Sequence, residues 1–288
     1  MADYVIMSDS SCDFSPEMVE ELGVVIQPLT FRIEEKDYLN YPDNREMDPH
    51  EFYEKLRGGV MGSTSAVNPQ TFMDTMTPLV EQGKDVLYLA FSSGLSTTYQ
   101  SACIAAEEVM SAHPGSRIVV VDTRAASMGQ GLLVFLAVQE KNKGRSLDEV
   151  AAYAEDIRDR VCHWFTVDDL HHLKRGGRVS AAAAVVGTML QMKPVLHVDD
   201  EGHLIPMSKV RGRKASLAAL LEKMEELEAD PELVFISHGD CKEDAEHLAA
   251  MIREKFPVKR LEISFIGPVI GNHTGPGTVA LFFVGKHK

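Results

Sequence analysis

The chain lacks the signatures of several chemistries, and each absence narrows its function. Its 288 residues include only four cysteines, Cys12, Cys103, Cys162 and Cys241. They are far apart and form no CxxC pair, which predicts reduced thiols in a cytoplasmic protein and disfavours a disulfide framework. The longest apolar runs, such as 132–138, are too short to span a bilayer. The first residues, MADYVIMSDS, carry acid where a signal peptide has its basic region, so no export signal is expected. Positive charge is scarce: 29 Lys plus Arg stand against 43 Asp plus Glu, a net charge of −14. That balance disfavours a nucleic-acid partner or a generic anionic-membrane surface, so any anionic ligand needs a local site. No Gly-x-x-x-x-Gly-Lys or Gly-x-Gly-x-x-Gly follows a strand-like segment, which removes the common nucleotide fingerprints. Histidine, cysteine and carboxylate spacing forms no metal-ligand set; His171 and His172 are adjacent and point apart on a helix.

What is present reads as α/β architecture. With 44% hydrophobic residues the chain can bury one large core or two modest ones, and its length favours two domains. Up to about residue 160, strand-like and helix-like segments alternate, as in a parallel sheet covered by helices. Strands are expected over 4–7, 24–32, 86–91 and 117–121, and helices over 16–22, 69–82, 97–110, 127–141 and 147–160. In the last helix Leu147, Val150, Ala151, Ala154 and Ile157 share one face, and Ser146 with Glu149 spells a capping box. The pattern then changes. A strand over 161–167, a short helix over 168–174, an Ala-rich helix over 180–192, a hairpin across 194–210, helices over 214–227 and 242–256, and strands over 233–237, 261–266 and 278–284 predict a mixed sheet. The expected domains are 1–160 and 161–288.

Several segments can carry chemistry. The run VLYLAFSSGLSTTYQ places Ser92, Ser93, Gly94, Leu95 and Ser96 where a buried strand turns into a helix. Free N–H groups at a helix start favour an anion, and the hydroxyls add donors without adding charge. Only Gly94 accompanies these serines, so the Gly-x-Ser-x-Gly elbow of serine hydrolases is not matched. A second hydroxyl-rich turn, Ser63-Thr64-Ser65, precedes Asn68-Pro69, a cap and first helical residue; Thr64 faces the same crevice if it does more than local capping. Asp9-Ser10-Ser11-Cys12-Asp13 follows the first strand and reads either as a capped turn or as part of a ligand crevice. Asp9 is too isolated for a metal ligand. After Asp122-Thr123-Arg124, the glycines of Met128-Gly129-Gln130-Gly131 suit close packing or close approach to a ligand. Two basic runs, residues 174–178 (KRGGR) and 209–214 (KVRGRK), are concentrated positive sites against an acidic background. Residues 267–277, GPVIGNHTGPG, form a shaped loop around His273.

Taken together, DSSCD, STSAVNP, FSSGLSTTYQSA, DTRAASMGQGLL, DDLHHLKRGGRVS, KPVL and GPVIGNHTGPG resemble, in order and spacing across the chain, the DegV family of bacterial proteins. The resemblance implies a two-domain DegV-like fold, with an N-terminal three-layer, Rossmann-like parallel-sheet domain and a C-terminal α/β domain with a mixed sheet. It also implies a long-chain fatty acid bound in a tunnel, no cofactor, and a carrier rather than an enzyme. Some members are fatty-acid-binding subunits of a bacterial fatty acid kinase, which phosphorylates the bound acid to an acyl phosphate. An acyltransferase or acyl carrier protein would then take the product, and transient membrane contact is compatible with the exchange. By the same analogy Thr64 and Ser96 hold the carboxylate, His273 and Arg211 approach it from the second domain, and Arg175 contacts the partner or its nucleotide. Met189, Leu190, Met192 and Ile270 are the expected tunnel liners, unless they are plain core. The rival expectation is a serine esterase or thioesterase using Ser93 or Ser96 with His273.

Overall fold

The computed structural model describes residues 3–179 and 192–288. The expected Ala-rich helix over 180–192, with Met189 and Leu190, lies outside them apart from Met192, which opens a strand.

Local start signals set the first lobe. Helices α1 (Pro16–Leu22), α2 (Pro49–Arg57) and α3 (Pro69–Glu81) each begin with proline behind a capping side chain, Ser15, Asp48 and Asn68 respectively. Proline suits a first helical position because its missing N–H would have no partner there. Strands β1 (Tyr4–Asp9), β2 (Val25–Gln27), β6 (Asp85–Ala90) and β7 (Ile118–Asp122) form a parallel sheet in the order β2-β1-β6-β7. The single strand expected over 24–32 is in fact two. The chain breaks at Pro28, and Thr30–Ile33 becomes β3 of a separate antiparallel sheet with β4 (Lys36–Leu39) and β5 (Ser63–Ser65). Proline offers no N–H to continue a ladder.

Helices α3 and α4 (Thr98–Ala112) pack against the parallel sheet, which α5 (Met128–Asn142) and α6 (Leu147–Ile157) also contact. The capping box of Ser146 and Glu149 is formed. Residues 161–284 supply a mixed six-stranded sheet, β10-β9-β8-β13-β11-β12, from β8 (Val161–Thr166), β9 (Met192–Val198), β10 (Leu204–Arg211), β11 (Asp230–His238), β12 (Arg260–Phe265) and β13 (Val279–Val284). Only β11 and β12 pair in parallel. Helices α8 (Arg213–Glu226) and α9 (Lys242–Lys255) pack on this sheet, and α7 (Leu170–Arg175) follows β8.

Helix α5 holds the two sheets together. It touches β1 and β6 of the first and β8, β11 and β13 of the second. One apolar cluster therefore runs from Leu87 and Leu89 through Leu132 and Phe135 to Phe235 and Phe282. Such an all-round apolar helix belongs in an interior. The expected glycine-rich loop 267–277 contains a further helix, α10 (Pro268–Thr274). No helix among the described residues is long and apolar enough to cross a membrane.

Candidate functional site

A cavity of about 440 Å³ opens between the lobes, beyond the carboxyl end of β6. In open parallel sheets that end is where ligands bind, and the volume falls in the roughly 300–1,000 Å³ range of small-molecule sites. Its walls come from both lobes. The β6–α4 turn contributes Phe91 and residues 93–97, β5 contributes Thr64, β8 contributes Phe165, α10 contributes Val269, Ile270 and His273, and β13 contributes Phe282. Ile270 is thus a lining residue, as expected, whereas Met192 is not.

Two polar side chains from different lobes meet on the cavity wall. Thr64 Oγ1 lies 2.8 Å from His273 Nε2. Burial, aided by the nearby Arg178 charge, pulls the His273 pKa down to about 4, so the ring is neutral near pH 7. Its Nδ1 is buried and has no hydrogen-bond partner among the described residues. Gly176 packs against that nitrogen so closely that a Cβ there would overlap the ring. When the ring donates from Nε2, the Thr64 hydroxyl proton is free for a ligand oxygen.

The serines divide their work. Ser96 lines the cavity, pairs with Thr98 Oγ1 at 2.9 Å and accepts the Thr98 N–H at 3.2 Å. Ser92 donates to the Gly202 carbonyl at 2.9 Å, fastening the turn to the β9–β10 hairpin. Ser93 donates to Asp122 Oδ2 at 2.5 Å. Neither Ser93 nor Ser96 is hydrogen-bonded to His273, so the nucleophile–base contact of a serine esterase is not formed.

The basic residues depart from expectation. Arg211 does not reach the site: it is exposed, ends the edge strand β10 and pairs across to Met192. Leu204, seven residues earlier on β10, does line the cavity, and a strand rising about 3.3 Å per residue carries Arg211 roughly 23 Å beyond it. Arg178 is the guanidinium at the cavity. It is half-buried, its Nε donates to the Leu95 carbonyl at 3.3 Å, and burial lowers its pKa. The turn at Ser92–Ser96 therefore does have a cation beside it. Arg178 belongs to the basic KRGGR run, but spacing alone does not separate it from its neighbours. Arg175 is exposed and lines a smaller adjoining cavity of about 230 Å³, which shares Thr64, Arg178 and His273.

Other motifs are structural. Asp9 is buried and accepts from Tyr88 Oη at 2.6 Å and the Phe91 N–H at 3.0 Å, pinning the β6 turn to β1. Gly129 faces His163, and Gly131 faces Phe14 and the Cys12 carbonyl. The only metal-like grouping among the described residues, His50, Glu54 and Asp240, has Asp240 already paired with Arg57.

The site thus offers neutral hydroxyl donors and one guanidinium together with apolar wall residues. That combination suits an amphiphile with a small anionic head and an apolar tail.

A DegV domain-containing protein of Clostridium perfringens is 48% identical over 100% of this chain and 99% of its own. A structure described as fatty acid binding of a DegV family protein from Thermus thermophilus has a TM-score of 0.88 at 31% identity, covering 99% of this chain and 100% of that one. A fatty acid (stearic acid)-binding protein from Eubacterium ventriosum has a TM-score of 0.87 at 26% identity, covering 98% of both chains. The family model described as "Uncharacterised protein, DegV family" matches residues 3–286. The chain belongs to the DegV family.

Proposed function

We propose that this protein binds one long-chain fatty acid, with its carboxylate at Thr64, Ser96, His273 and Arg178 and its acyl chain along the apolar walls. The observation that carries the reading is one cavity walled by both kinds of group: Thr64 in contact with His273, together with Ser96 and Arg178, and the apolar Phe91, Phe165, Ile270 and Phe282. Each buried methylene contributes about 0.8 kcal/mol before ordering costs, so the tail supplies affinity and the head group supplies orientation. The fatty-acid-binding relatives in Thermus thermophilus and Eubacterium ventriosum support the same ligand class.

The finer reading is that the protein is a cytoplasmic carrier that presents the head group to a partner fatty acid kinase. The partner holds the nucleotide; its terminal phosphoryl group moves to a carboxylate oxygen, and the nucleoside diphosphate leaves. The acyl phosphate then feeds phospholipid synthesis through an acyltransferase or acyl carrier protein. Arg175, exposed beside the smaller adjoining cavity, is the residue we assign to that contact. The family resemblance supplies this part.

Organic extraction of the purified protein followed by mass spectrometry tests the ligand class. One fatty acid per chain is expected; an empty extract together with no affinity for added fatty acid overturns it. Incubation with a fatty acid kinase and ATP tests the finer reading through acyl phosphate formation.

A further inference from the structure

Asp13 lies 260 positions from His273 in sequence and does not itself line the main cavity. Asp13 follows β1 in a left-handed conformation, φ 55°, and is buried. Its Oδ1 accepts the N–H of Gly267, the residue that caps α10, at 2.9 Å. Its Oδ2 accepts from Ser127 Oγ at 2.5 Å, and its carbonyl accepts from Ser264 Oγ at 2.8 Å. Ser127, itself at φ 53°, lines the main cavity and bonds onward to Ser237 of β11 at 2.9 Å. Asn40, also from the first lobe, stands beside Asp13 at the head of α10, where its Oδ1 accepts the Val269 N–H at 3.4 Å. Tyr53 completes the seat by donating to the Ile266 carbonyl at 2.8 Å.

Helix α10 belongs by sequence to the second lobe, yet its start is gripped by side chains of the first. We infer that Asp13 is the positioning residue for the head-group site, clasping α10 and Ser127 so that His273 is delivered to Thr64. This inference rests on the fatty-acid reading for its consequence but not for its geometry. Two residues held at positive φ around one carboxylate are a local strain that the clasp must hold in place.

The clasp also gives a readout. Burial first, with the neighbouring Asp9 charge adding to it and the Ser127 and Gly267 bonds opposing, raises the Asp13 pKa to about 7. The titratable groups in its field are Asp9, Cys12 and Tyr53; Cys12 and Tyr53 are pushed well above their ordinary values and stay neutral there. His273 itself protonates only near pH 4. His172, on α7 against the end of α10, is also pushed below its ordinary value by burial and the Arg175 charge, so a His273 response near pH 7 that disappears when Asp13 is replaced reports Asp13.

The test is nuclear magnetic resonance of the full chain with ¹⁵N-labelled histidine, without ligand, with the His273 signal identified by its loss in His273→Gln. Oleate affinity is measured in parallel. The wild-type His273 signal is expected to shift with a midpoint near pH 7, and Asp13→Asn, which keeps an acceptor for Gly267, is expected to abolish that step. Asp13→Ala is expected to move the His273 signal and weaken oleate about tenfold or more. If Asp13→Ala does not fold, Asn40→Ala loosens the same end of α10 and is expected to move the signal in the same direction. An unmoved His273 signal in Asp13→Ala or its Asn40→Ala replacement, with no step near pH 7 in the wild type, overturns the inference. A His273 step without any oleate binding would leave the clasp standing and overturn the fatty-acid reading.

Discussion

Thr64 and His273, 209 positions apart, meet side chain to side chain at 2.8 Å. One stands on β5, in the antiparallel sheet built on the first lobe, and the other on α10, between β12 and β13 of the second sheet. The pair joins the two lobes. This polar pair on the cavity wall is therefore a product of the inter-lobe contact.

Thr64→Val removes the hydroxyl while keeping the side-chain shape. A hydrogen bond to a charged group is worth about 1.5–3 kcal/mol, so fatty-acid affinity should fall roughly ten- to a hundredfold. Fluorescence competition with a labelled fatty acid measures it. Unchanged affinity would remove Thr64 from the site.

The two arginines should separate cleanly. Arg178→Leu is expected to weaken binding by about tenfold or more, because a guanidinium is lost beside the carboxylate. Arg211→Ala, on the exposed end of β10, should leave affinity within about twofold. The reverse ranking would place the head group elsewhere.

Acid should destabilise the fold through His273. Its folded pKa, about 4, lies below the ordinary 6.5, so its contribution is complete above pH 6.5 and is lost as pH falls toward 4. Urea unfolding at pH 7.5 and 4.5 should show that His273→Gln loses about 2–3 kcal/mol less than the wild type across that interval. His238, also lowered to about 4, contributes to both proteins and cancels in the comparison.

Gly176→Ala tests the wall behind the imidazole. The added Cβ would overlap His273 Nδ1, so the ring must move away from Thr64 or α7 must shift. Weaker fatty-acid binding with a lowered melting temperature is expected. The control Gly144→Ala meets no neighbouring atom; its positive φ of 86° costs stability but should spare affinity.

Much of the fold is legible locally. Ser15-Pro16, Asn68-Pro69 and the Ser146–Glu149 box announce their helices, because caps act within one turn. Asp48-Pro49-His50-Glu51 carries the same signal for α2, although the expected elements did not include it. The break at Pro28 is legible as a residue but not as a change of sheet, since pairing partners are set by packing.

The hydroxyl-rich turns around Thr64 and Ser96 mark candidate ligand loops, because donor chemistry and helix starts are local properties. The choice among basic residues is different in kind. Arg175, Arg178 and Arg211 carry the same charge and sit in similar runs, and only the course of α7 and β10 puts Arg178 at the cavity, Arg175 beside it and Arg211 at an outer edge. The sequence by itself determined the α/β pattern, the helix starts and the residue types available to hold an anion. The tertiary structure alone decided that Asp13 grips α10, that His273 meets Thr64 and that one guanidinium faces the cavity. Those contacts join residues far apart in the chain, and their geometry follows from packing two sheets against a shared helix.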